Sequence, residues 1–173
     1  MAISFYEASV ANYLQTLGAA TGVLAKGAAY CQEKGIDPQS IVDARFAPDM
    51  LPFSFQIYSI VHHSQGALEG IKSGVFRPPG PRDPHSYEQL QALVASTLES
   101  LKALTPDEVN ALENNDLVFE LGKMKMPFTA KGFLFSFSLP NFYFHSTTTY
   151  AMLRSKGVPL GKRDFMGAMR LKT

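Results

Sequence analysis

The sequence predicts a mainly α domain, a four-helix bundle with a small β-hairpin ahead of the last long helix. Three observations lead there. Apolar residues recur at spacings of three and four over four long segments, Gly and Pro punctuate the gaps between them, and a short alternating stretch precedes the fourth segment. A bundle gives each apolar stripe a partner to bury against. At 173 residues the chain matches one ordinary domain, read as 1–173 with a core over about 3–165 and a tail over 166–173.

The first helix is expected from about Ser4 to Lys34, on the stripe of Tyr6, Val10, Tyr13, Leu17, Ala20, Leu24, Ala28 and Cys31. Gly35 and Asp37-Pro38 end it, and a short connecting turn follows at Ile41 and Val42. The second helix is expected from about Asp49 to Ser73, with Pro52 in its first turn and Phe53, Ile57, Ile60, Val61, Leu68 and Ile71 as its stripe. Four prolines between Arg77 and Pro84 remove donors and fix φ, so this stretch reads as a rigid surface loop. Ser86 is a candidate N-cap for a third helix reaching about Leu104, and Thr105-Pro106-Asp107-Glu108 caps one or two turns more. Leu117–Leu121 and Met124–Phe128, joined by Gly122-Lys123, read as the hairpin. The fourth helix is expected from about Thr129 to Lys156, kinked or divided by Pro140, and the residues after Gly157-Val158-Pro159 form a tail of undefined path.

Composition narrows the function classes. Sixteen basic against fifteen acidic side chains leave a charge of +1, which argues against a nucleic-acid phosphate backbone or an anionic bilayer as partner. No apolar run approaches the roughly 20 residues that span a membrane. One cysteine and an N-terminus without the pattern of a signal peptide predict a reducing, cytoplasmic setting. Charged residues make up only 18% of the chain against 12% aromatics, which predicts a homodimer covering part of the apolar surface.

The fourth helix carries the chemistry. At 100° per residue, Leu134, Ser138, Asn141, Thr149 and Met152 fall within about 40° of His145 and Thr148 within about 60°, a polar seam on an aromatic helix. Buried polar groups need partners, which a pocket, a metal or a satisfied internal network would each supply. On the second helix His62 and His63 point about 100° apart, and His63 shares a side with Gln56, Ser59 and the small edge Gly66, Ala67 and Gly70. His63 is therefore the candidate to join His145, His62 reads as a boundary residue, and His85 as solvated. Two histidines suit zinc or nickel only with a third ligand, for which Asp49, Asp43 or Glu7 are the available carboxylates. Cys31 reads as a small buried hydrophobe, and phosphate-loop, dinucleotide and serine-hydrolase motifs are absent.

Phe5–Val10, Asp43–Pro52, Pro140–His145, Tyr150–Arg154 and Gly157–Lys162 together make the chain resemble an uncharacterised branch, bacterial and fungal, of the DinB-like four-helix-bundle superfamily. The resemblance implies an up-down-down-up bundle. It also implies a divalent metal held by three histidines, one from the second helix and two from the fourth, as in DinB-like thiol-dependent transferases and isomerases. His63 and His145 match two of those positions and Thr149 stands at the third, so no metal cofactor is expected; if one binds, His63 and His145 are its ligands. The expectation is a small-molecule pocket between helices lined by Asn141, Gln56, Asp49 and Tyr13, in which His145 and His63 are catalytic acid/base candidates for a metal-independent isomerase, cyclase or transferase. A metal-dependent thiol transferase and a non-catalytic structural or partner-binding bundle are the alternatives.

Overall fold

The computed structural model describes residues 3–80 and 82–172. Ten helices, α1 to α10, and three strands, β1 to β3, follow one another among these residues. The first arm is α1 (Phe5–Ala8) and α2 (Val10–Lys34). The expected continuous helix is broken at Ser9, whose hydroxyl donates to the Phe5 carbonyl at 2.6 Å while its backbone leaves helical geometry at φ −115° and ψ −82°. A side-chain donor competing for the carbonyl four residues back bends a helix. Gly35, at φ 64°, supplies the left-handed C-cap, and α3 (Gln39–Val42) forms the short connection.

The second arm differs from expectation in two ways. It starts at Phe53 rather than Asp49, with Pro52 in extended geometry as the capping residue, and it is divided into α4 (Phe53–His62) and α5 (Gln65–Ser73). The divider is Ser64, which repeats the device of Ser9: its hydroxyl donates to the Ile60 carbonyl at 2.7 Å, at φ −115° and ψ −84°. The third arm, α6 (Tyr87–Lys102), opens on the Ser86/Gln89 capping box, and α7 (Pro106–Asn110) opens on Thr105/Glu108.

The hairpin forms as β2 (Asp116–Leu121) and β3 (Met124–Thr129), turning through Gly122 at φ 57°. It is part of a larger sheet than expected, because β1 (Val75–Phe76) pairs parallel with β2. Pro127 is tolerated because β3 is the edge strand. The fourth arm runs from α8 (Ala130–Phe133) through a π turn at Leu134–Ser138 into α9 (Leu139–Ser155), so Pro140 divides it as its missing N–H requires.

In the bundle α4 packs on α9 and α2 on α6, and α4–α6 and α2–α9 contacts close the square. One apolar core runs through it, with Tyr13, Phe53, Phe133 and Phe142 among its largest fully buried side chains. The C-terminal tail is docked rather than loose. There α10 (Lys162–Met166) lies on α2, held by Lys26–Asp164 at 2.7 Å and by Gln15 Nε2 donating to the Met166 carbonyl at 2.9 Å. Beyond it, Arg170 donates to Asn12 Oδ1 at 2.8 Å.

Candidate functional site: two imidazoles between α4 and α9

The break at Ser64 and the π turn at Leu134–Ser138 meet across the bundle. A continuous helix would bond the His63 carbonyl to its own next turn; here it accepts from Ser138 Oγ at 2.9 Å. His63 is thereby fixed at the end of α4, 92% buried, with its ring nearly parallel to that of His145, centroids 6.2 Å apart. Phe76 of β1 and Phe137 of the π turn enclose the His63 ring, and Phe55 meets His145 edge-on at 5.8 Å.

Gln56 sets the state of His145. Its amide nitrogen faces the carbonyls of Leu51 at 3.3 Å and Pro52 at 3.4 Å, so its Oε1 turns to His145 Nδ1 at 2.8 Å. An amide oxygen only accepts, so Nδ1 carries the proton and the lone pair lies on Nε2. Burial pushes the His145 imidazole down to about 4 and that of His63 to about 3, the neighbouring His62 and His145 adding to the effect on His63. No carboxylate pairs with either ring among the described residues. Both are neutral near pH 7, and His63 Nδ1 is buried with no hydrogen-bond partner.

The remaining candidates fall in different places. Gln56 is in the site. Asn141 lies half-buried with its amide donating to the Phe137 carbonyl at 2.7 Å, satisfying the backbone where the π turn disturbs helical bonding. Tyr13 sits in the core, edge-on to Phe142 at 4.9 Å, and its hydroxyl is buried with no hydrogen-bond partner. Burial pushes the Tyr13 phenol up. Asp49 is exposed in the turn before α4 and bonds to neither histidine. The small edge of Gly66 and Gly70 is filled from within the chain: a Cβ at Gly66 would lie 3.1 Å from His62 Nδ1, and one at Gly70 3.0 Å from the Phe76 ring. His62 packs on Phe76 with centroids 4.3 Å apart, leaving its Nε2 buried and unpartnered. Cys31 is buried, and burial pushes its thiol up.

A three-histidine metal does not fit these residues. Thr149 directs its hydroxyl to the His145 carbonyl at 2.9 Å, and no group of three or more His, Cys, Asp or Glu among the described residues is placed to hold a metal ion.

Four groups close to the site escaped sequence reasoning: Phe55, Tyr58, Arg82 and His85. His85 is not simply solvated; its Nδ1 lies 2.8 Å from the Asp83 carbonyl and 3.0 Å from the Tyr58 hydroxyl, and the Arg82 guanidinium stands 5.1 Å over the Tyr58 ring. The available signal was the density of polar side chains in the proline stretch, where Arg82, Asp83 and His85 lie within four residues. A separate cavity of about 350 Å³ lies between α5, α6 and α7 on a floor of Leu68, Leu101 and Val109; the Glu108 carboxylate at its rim is spent on the Thr105 cap.

The fold is that of a DinB-like helical bundle. A crystal structure of a DinB family member from Shewanella denitrificans superposes with a TM-score of 0.80, covering 97% of this chain and 94% of that one at 22% identity, a likeness of fold. No curated protein matches the chain. Residues 5–166 match the model of the family described as Domain of unknown function (DUF1993), and the chain belongs to that family.

Proposed function

We propose that the chain binds a small organic molecule between α4 and α9, as a metal-independent isomerase, cyclase or transferase with His145 as base and His63 beside it. The observation that carries the reading is the Gln56 clamp, which holds His145 as the Nδ1–H tautomer with a free Nε2 lone pair. That tautomer is prepared to accept a proton or a hydrogen bond, and orienting a ring through its other nitrogen is how acid/base histidines are positioned. The unpartnered Nδ1 of His63 adds a second polar atom that a ligand or water would satisfy. The aromatic walls Phe55 and Phe137 suit a molecule with an apolar body.

A fragment screen followed by amide NMR shifts tests this. Hits are expected to move Phe55, Gln56 and His145 and to be lost in His145→Ala. Hits confined to the larger α5–α7 cavity, or unaffected by that substitution, would contradict it.

A further inference from the structure

A second cavity, of about 250 Å³, opens between the start of α4 and the proline loop, lined by residues that include Pro52, Phe55, Tyr58, Pro79 and Arg82. It adjoins His145, because Phe55 is a wall of the cavity and also meets the His145 ring. Its lining contains no acidic residue. Arg77, at the start of the loop, is paired with Glu120 at 2.6 Å, whereas Arg82 forms no salt bridge among the described residues. The Tyr58 ring fixes the Arg82 guanidinium by a cation–π contact.

Tyr58 is itself oriented. A carbonyl can only accept, so the 2.8 Å contact of His85 Nδ1 with the Asp83 carbonyl places the proton on Nδ1. The Tyr58 oxygen, 3.0 Å from the same nitrogen, therefore accepts from it, and its own O–H is left to donate elsewhere. A free guanidinium fork and a free phenolic O–H thus stand on one wall of an apolar cavity, a donor set with no acceptor among the described residues. A planar carboxylate or a phosphate matches such a fork.

We propose that Arg82 and Tyr58 form an anion clamp, and that the molecule bound beside His145 is a small organic oxyanion, its charged group on Arg82 and its apolar body against Phe55. The inference rests on the reading of the His145 cleft given above, which it supplies with a ligand class. Arg82, not the bundle core, then selects the ligand.

The probes are benzoate, phenyl phosphate and neutral benzyl alcohol, titrated into ¹⁵N-labelled protein. Benzoate or phenyl phosphate is expected to bind at least about tenfold more tightly than benzyl alcohol, moving Phe55, Tyr58 and His145 together, and the tighter of the two identifies the head group. Arg82→Gln, in an exposed loop where folding is not at stake, is expected to abolish that preference while leaving benzyl alcohol unchanged, and Tyr58→Phe to reduce it about threefold. Equal binding of the neutral and charged probes, or anion affinity unchanged by Arg82→Gln, would overturn the clamp. Anion binding that depends on Arg82 but is indifferent to His145→Ala, with no shift at His145, would overturn the link to the cleft. Absence of saturable binding by all three probes would overturn both.

Discussion

The two facing pairs of long helices treat buried polar groups in opposite ways. Where α2 meets α6, the buried Tyr87 hydroxyl donates to the Leu24 carbonyl at 2.9 Å, and Gly27 makes room for it, since a Cβ there would lie 2.2 Å from that oxygen. Where α4 meets α9, with Tyr13 of α2 behind them, Tyr13 Oη, His62 Nε2 and His63 Nδ1 are all buried and unpartnered. The arms on this side are interrupted within the bundle, at Ser64 and at Leu134–Ser138, whereas the first arm breaks only near its start, at Ser9. An unsatisfied buried polar group costs about 1–3 kcal/mol. Retaining three of them on one side of a well-packed bundle marks that side as the one shaped for something other than stability.

The largest effect expected from this contrast is in pH dependence. Burial lowers the native values of His63 to about 3 and His145 to about 4 from an ordinary 6.5. Between these limits the unfolded chain binds protons that the native state does not, so stability rises with pH up to about 6.5 and levels off above it. On acidification it is lost through that window until the native rings themselves take protons. The slope from His63 alone approaches about 1.4 kcal/mol per pH unit. Urea unfolding at intervals from pH 4.5 to 7.5 checks this, and a stability that stays level from pH 6.5 down to pH 5 would break the contrast. Next comes a pair of conservative changes: Tyr87→Phe is expected to cost about 1.5 kcal/mol, Tyr13→Phe nothing or a gain. Equal losses would mean the two sides are alike. The smallest effect is that of His63→Leu at pH 7, expected to gain about 1 kcal/mol by removing an unpartnered nitrogen while weakening fragment binding at the cleft. A loss of more than 1 kcal/mol would instead identify His63 as ordinary core.

What the sequence disclosed follows the range of the forces involved. The capping boxes Ser86/Gln89 and Thr105/Glu108, the Gly35 cap, the Gly122 turn and the division at Pro140 are local chemistry, and each is found where the residues indicate. The breaks at Ser9 and Ser64 are local too, yet the apolar stripe continues across both, so periodicity passes over them. The docking of the tail depends on Asn12, Gln15 and Lys26, more than 130 residues away in sequence, and nothing in the tail itself announces it. The site divides in the same way. His63, His145 and Gln56 share helical faces and were readable; Phe55, Tyr58, Arg82 and His85 come together only because the proline loop folds back over α4.

The account depends most on the state of one ring. A long-range ¹H–¹⁵N spectrum of histidine-labelled protein at pH 7 reports tautomer and charge directly. It is predicted to show His145 neutral, with its proton on Nδ1 and Nε2 unprotonated, and to lose that pattern in Gln56→Leu. A charged His145 at pH 7, or one protonated on Nε2, would contradict the account.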